Sequence, residues 1–268
     1  MTSCYRAVWL SDIHLGNKDC KADYLLAFLE SSKIDMLYLV GDVVDMWAMS
    51  KQFRWPESHN KVLQKLLSLS QQGCKVVYLP GNHDEPLQKY SGMGFGDVQI
   101  EREYVHVTAQ NKKLLIMHGD QFDQEVCLGQ FHSWVGDKGY MLLMFLNRHY
   151  NKIRACLGFP YWSLAGYIKS RINGANKAIA RYRDACCRYA RKAKVDGIVC
   201  GHIHHPEMMK INGIDYYNDG DWVENCTALA ESHTGELSLV YWMDVEASQT
   251  VTPIKPVSLW QWSRKRAA

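Results

Sequence analysis

The sequence predicts an α/β fold with parallel strands, and three observations carry that reading. Short apolar runs rich in Val, Ile, Leu and Tyr recur at 7–12, 36–42, 76–82, 114–120 and 197–202. Helix-patterned stretches separate the first three runs, and every run ends in Asp, Asn or His. Runs this short are not helices; they read as strands buried on both faces. Strand–helix–strand alternation calls for parallel βαβ units, which gather the loops after the strands along one edge of a sheet.

Taken in order, AVWLSD (7–12) is the first strand and ADYLLAFLESS (22–32) the first helix. MLYLVGD (36–42) follows, then NKVLQKLLSLSQQG (60–73), a helix that Gly73 closes from the C-cap position. VVYLPGN (76–82), LLIMHGD (114–120) and GIVCGH (197–202) are three further strands. Beyond Ile203 the pattern shortens to MMKINGIDYYNDGDW and ELSLVYWMDV, which predicts antiparallel pairing across turns. Residues 125–194 break the alternation. There Ala178, Ile179, Tyr182, Ala185, Cys186, Tyr189 and Ala193 recur at three- and four-residue intervals, the mark of an amphipathic helix. The expected organisation is a core of 1–124 and 195–262, a helical insertion over 125–194, and a tail at 263–268.

With 268 residues, 47% hydrophobic and 22% charged, the chain suits one globular unit with a substantial core. Its nine cysteines form no CxxC pair, which points to thiols in a reducing compartment. No stretch has the ~20 apolar residues of a membrane span, and the first residues do not read as a signal peptide. A cytoplasmic protein is expected, with attachment to a membrane surface left open. The net charge of +3 hides an asymmetry. Residues 147–195 hold twelve Lys or Arg against one acid, Asp184, so the remainder is acidic. A basic segment on an acidic body suggests contact with phosphates, nucleic acid or anionic lipid.

Each strand end carries ligand-type side chains. The first has Asp12 and His14, the second Asp42 with Asp45, and the third Asn82, His83 and Asp84. His118 follows the fourth, and His202 and His204 follow the fifth. A lone His there is more often a satisfied polar residue than a ligand. Five such clusters on one sheet edge are a different matter. Carboxylates, an amide oxygen and imidazoles together suit borderline divalent ions such as Mn, Fe or Zn, and make a poor calcium cage.

In order and spacing, Asp12-Ile13-His14, Gly41-Asp42 through Asp45, Gly81-Asn82-His83-Asp84, His118 and Gly201-His202-Ile203-His204 resemble the calcineurin-like metallophosphoesterases. The resemblance runs from about residue 7 to 222. It implies an αββα sandwich of two mixed sheets and two divalent metal ions, Mn2+ foremost, with Fe or Zn as alternatives. It assigns Asp12, His14, Asp42 and His204 to one ion, and Asp42, Asn82, His118 and His202 to the other. A carboxylate such as Asp42 is able to bridge two cations ~3.5–4 Å apart. Asp45 is expected behind the ligands, orienting an imidazole. His83 is the expected catalytic acid, with Asp84 holding its ring in the donor tautomer.

Within that superfamily the chain is similar to the bacterial UDP-2,3-diacylglucosamine diphosphatases of lipid A synthesis. The shared features are its length, HGDQFD after the fourth strand, the helical insertion, and GDW at 220–222. That resemblance implies a UDP-linked acylated sugar as substrate and an insertion acting as a lid. It also implies peripheral attachment to the cytoplasmic face of the inner membrane. Arg148, Lys152, Arg154, Lys169 and Arg171 are the expected substrate-binding cations, interleaved with aromatics as at a lipid interface. A nuclease groove would use the same residue types. Those diphosphatases carry Arg where this chain has His83. A general phosphodiesterase, a phosphomonoesterase or a nuclease therefore stands as the alternative, with a non-catalytic scaffold ranked last.

Overall fold

The structure is a computed structural model and describes residues 3–123, 136–159, 161–171 and 173–243. The expected tail at 263–268, the core residues 244–262, the first insertion residues 125–135, and the side chains of Lys169 and Arg171 lie outside the described residues.

Twelve strands among the described residues form two mixed sheets. In the first sheet, β1 (Ser3–Leu10), β2 (Ser32–Leu39), β3 (Lys75–Tyr78) and β5 (Val98–Ile100) run parallel. The hairpin strand β4 (Gly94–Phe95) closes one edge, and β11 (Thr227–Glu231) with β12 (Leu237–Tyr241) closes the other, all antiparallel to their neighbours. In the second sheet, β7 (Lys113–Ile116), β8 (Gly197–Cys200) and β10 (Ile214–Asn218) run parallel. Its antiparallel edges are β6 (Tyr104–Val107) and β9 (Glu207–Ile211). The expected antiparallel pairing beyond Ile203 is the β9–β10 and β11–β12 pairs.

Side-chain alternation explains the continuous apolar runs. On β1, Ala7 and Trp9 face the space between the sheets, whereas Val8 and Leu10 face outward. On the outward side they pack with residues of helices α1 (Ala22–Glu30) and α3 (Glu57–Gln71). The second sheet does the same. Leu114, Ile116 and Val199 join the inner layer, while Leu115, Ile198 and Cys200 pack against helix α6 (Asn173–Lys192). Both sheets are thus buried on two faces, as a βαβ architecture requires. Helix α6, which the sequence reading groups with the insertion, is the outer cover of the second sheet.

Helix α4 (Gly136–Cys156) and helix α5 (Leu164–Arg171) make up the rest of the described insertion. Asn147 staples the two: its Oδ1 accepts from the Leu164 backbone N–H at 2.9 Å, and its Nδ2 donates to the Tyr161 hydroxyl at 3.0 Å. Met144 and Ala165 pack on Val223, beside the loop that follows β10.

Candidate metal centre

The apolar runs carry the chain into the centre, but the regular strands stop short of it. β1 ends at Leu10, β2 at Leu39, β7 at Ile116 and β8 at Cys200. The residues beyond leave extended geometry. Asp12, His14, Asp42, His202 and His204 have φ of 50°, 54°, 54°, 70° and 50°. Left-handed backbone costs a residue with a β-carbon ~1–3 kcal/mol, and such strain gathers at functional sites. Here it turns Asp12 and His14 toward the centre while Ile13 between them stays in the core. His202 and His204 flank Ile203, which packs on the second core, in the same way. Two glycines leave the room this needs. A β-carbon on Gly41 would fall 2.2 Å from His118 Nδ1, and one on Gly81 would fall 2.4 Å from Asp42 Oδ1.

The side chains converge. His204 Nε2 lies 3.1 Å from Asp12 Oδ1, and His14 Nε2 lies 3.8 Å from both Asp12 Oδ1 and Asp42 Oδ2. His118 Nε2 lies 3.5 Å from Asp42 Oδ2 and 3.3 Å from Asn82 Oδ1. Asp42 therefore stands between the two groups of imidazoles. His202 sits beside His118, ring centroids 5.1 Å apart, with its Nε2 turned to Asp123 Oδ1 at 2.8 Å. Asp12 Oδ1 and His14 Nε2 are buried yet make no hydrogen bond. Donors packed this closely without bonding one another are what a cation between them would explain. The mixed O and N set fits borderline divalent ions.

Charge points the same way. Burial pushes the Asp12 carboxyl up, but the His204 and His14 imidazoles hold it well below its ordinary value. Burial also opposes ionisation of Asp42, and His118 and His14 outweigh it, leaving about 2. Burial lowers His14, yet Asp12, Asp45 and Asp42 raise it to about 10. His118 and His204 are raised against burial too, chiefly by Asp42 and Asp12 respectively. The cluster thus balances its carboxylates with protons on imidazoles. A divalent cation would supply that positive charge in their place.

His83 lies at the rim with Nε2 3.8 Å from Asp42 Oδ2. Its Nδ1 faces Asp45 Oδ1 at 2.9 Å, and the other Asp45 oxygen lies 3.2 Å from His14 Nδ1. One carboxylate therefore orients both rings, while Asp45 also caps helix α2 (Met46–Lys51) through the Ala48 N–H at 2.7 Å. Burial pushes Asp45 up, and its bonds to His14 and His83 bring it far below its ordinary value.

The expectation that Asp84 orients His83 is corrected. Asp84 is fully buried and accepts from the backbone N–H of Gly81 at 2.6 Å and of Val43 at 2.8 Å, and from the Tyr78 hydroxyl. It ties the loop after β2 to the loop after β3. Neighbouring residues on a turn point apart, so proximity in sequence gave the wrong partner. Arg148, expected to bind substrate, is engaged with the core. Its guanidinium pairs with Asp19 at 2.5 Å, in the loop after His14, and so fastens the insertion to the core. Arg154 lies over the Tyr150 and Phe159 rings, and Lys152 is exposed.

Three contributors escape a reading of motifs. Trp47 covers His83 with ring centroids 4.3 Å apart, and Asn17 donates to Asp45 Oδ2 at 2.9 Å. His59 accepts from the Gly16 N–H at 2.8 Å, holding the turn after His14. For Trp47 and Asn17 the signal was their closeness in sequence to Asp45 and His14; His59, on α3, gave none.

The UDP-2,3-diacylglucosamine hydrolase of Psychromonas ingrahamii is 25% identical over 241 residues, covering 82% of this chain and 91% of its own. That of Blochmanniella pennsylvanica is 26% identical over 227 residues, covering 76% and 81%. Among solved structures, vacuolar protein sorting 29 from Cryptosporidium parvum overlaps at a TM-score of 0.43 and 12% identity, over 87% of this chain and 95% of that one. The last similarity is too slight to argue from. A model of the calcineurin-like phosphoesterase family matches residues 5–206, a span that takes in every strand end of the centre. The chain belongs to the calcineurin-like phosphoesterases, metal-dependent hydrolases of phosphoesters.

Proposed function

We propose that the protein is a dinuclear phosphoesterase that hydrolyses the diphosphate of a UDP-linked acylated sugar, releasing UMP and a lipid monophosphate. The observation that carries the two-ion reading is Asp42, placed between the His14 and His118 imidazoles at 3.8 and 3.5 Å. Asp12, His14, Asp42 and His204 would hold one ion, and Asp42, Asn82, His118 and His202 the other. When bound, two such ions supply Lewis acidity toward the phosphoryl oxygens and a water activated near neutral pH. The chain's own residues do the rest. Asp45 fixes His14 and His83 in one geometry. His83, with Nδ1–H donated to Asp45, presents Nε2 to the site and as imidazolium gives its proton to the leaving oxygen.

The relatives' names support the choice of substrate, and the insertion fits it. Leu142, Phe145, Leu146, Ile153, Leu157 and Phe159 are exposed on α4 and the turn after it. Apolar side chains in such number on one element suit acyl chains and a bilayer surface, with Lys152 at headgroup depth. Helices α4 and α5 of the insertion then act as a lid, working at the cytoplasmic face of the inner membrane. Among the described residues no helix is long and apolar enough to cross a membrane.

A second reading, hydrolysis of nucleic acid, is favoured by one observation: Lys177, Arg181 and Lys192 are exposed along α6. One experiment separates the two. The manganese-loaded protein is offered UDP-2,3-diacylglucosamine, a generic phosphodiester, a phosphomonoester and single-stranded DNA. UMP from the first alone is the expected result. Cleavage of the generic esters or DNA without the first would overturn the lipid assignment.

A further inference from the structure

Helix α6 covers the second sheet from outside, and through Tyr182 it also reaches the metal centre. Tyr182 is fully buried, and its hydroxyl donates to the His118 carbonyl oxygen across 3.4 Å. Its ring lies 6.1 Å from that of His202 at a tilt of 33°, and Phe122 meets it edge-on at 6.0 Å. The chain turn beyond His118 is shaped around this hydroxyl. Gly119 has φ of +103°, and a β-carbon there would fall 1.9 Å from Tyr182 Oη. One turn further along α6, Cys186 Sγ lies 3.8 Å from Cys200 Sγ, two residues before His202. A helix outside both ligand-bearing loops therefore touches the chain at His118 and again beside His202.

We propose that Tyr182 is a positioning residue for the second ion, locking the His118 and His202 imidazoles at the separation that ion needs. Among the described residues, the hydrogen bond and ring contacts of Tyr182 go to His118, Phe122 and His202, not to Asp12, His14 or His204. A buried tyrosine that only filled the core would need its ring alone; this one places its hydroxyl where the backbone has been left bare to receive it. Removing an outer support of a metal ligand costs ~10–100-fold in affinity. The inference rests on the two-ion reading, and its test separates the two.

Metal-free protein is titrated with Mn2+ alone in a calorimeter. Wild type is expected to take up two ions. In Tyr182→Phe one of them binds about tenfold more weakly, while the other stays within about twofold and the metal-free melting temperature stays close to wild type. Gly119→Ala, which pushes on the same hydroxyl from the other side, is expected to give the same selective loss. Ala190→Gly, which loosens the same helix two turns on, should leave both affinities alone. Unchanged affinities in Tyr182→Phe would overturn the proposal, as would equal weakening of both ions or the same loss in Ala190→Gly. Uptake of one ion or none by wild type would overturn the two-ion reading and the inference with it.

Discussion

Asp45 and Asp84 show how two nearby carboxylates come to opposite uses. Asp45 holds His14 with one oxygen and His83 with the other, so the proposed metal ligand and the proposed proton donor share a single anchor. Asp45→Asn should lower kcat about 100-fold, because an amide cannot accept from both His14 and His83 as the carboxylate does. An unchanged kcat would separate the Asp45 anchor from the chemistry. Asp84 is tied to backbone amides and Tyr78 instead. Asp84→Ala strands those buried donors, and a loss of about 3 kcal/mol in urea unfolding is expected. The ligand-type residues were legible because each stands where an apolar run stops. The partner of His83 was not, because the choice between Asp45 and Asp84 depends on turn direction, which composition does not encode.

Elements show a similar division. The five apolar runs locate β1, β2, β3, β7 and β8, although each run overran its strand into the loop that carries the ligand-type residues, left-handed at Asp12, Asp42, Gly119 and His202 but not after β3. Helix α2 and the β4–β5 hairpin were missed, being only six and a few residues long. The charge of the insertion was legible, but its use was not: Arg148 is spent on Asp19, a residue far away in sequence. That pair gives a test of the insertion as a separable element. Arg148→Ala should speed amide hydrogen exchange in α4 and α5 about tenfold, as expected when a half-buried ion pair between two elements loses a partner. Mn2+ affinity should remain as in wild type. Faster exchange accompanied by lost metal binding would mean that the insertion and the centre fold as one unit.

Across the whole molecule, the two sheets are joined by more than the apolar layer between them. Glu231 on β11 accepts from Arg6 on β1 at 2.6 Å, lies 2.8 Å from His106 on β6, and accepts from the Ala109 N–H at 2.7 Å. Burial opposes its charge, but His106, the Ala109 amide and Arg6 bring its pKa below the ordinary 4.5. A carboxyl whose folded value is depressed adds stability above its unfolded pKa and loses it as pH falls through the folded one. Melting temperature should therefore drop below about pH 4.5 in wild type. Glu231→Gln should melt lower at pH 7 and show a shallower acid dependence. Equal acid dependence in both would place the stabilising carboxylates elsewhere. The sandwich was legible only through family resemblance, since periodicity alone fixes a strand's two buried faces without saying whether helix or sheet covers each.

The proposed chemistry turns on Asp42 standing between two ions. The most direct test compares phosphoester hydrolysis by manganese-loaded wild type and Asp42→Asn, with bound metal counted in the same samples. The expected result is two ions per chain and turnover in wild type, and a variant that holds fewer ions and loses at least about 1000-fold in rate. A variant that keeps full activity, or a wild type that hydrolyses as fast after its metal is stripped, would contradict the account.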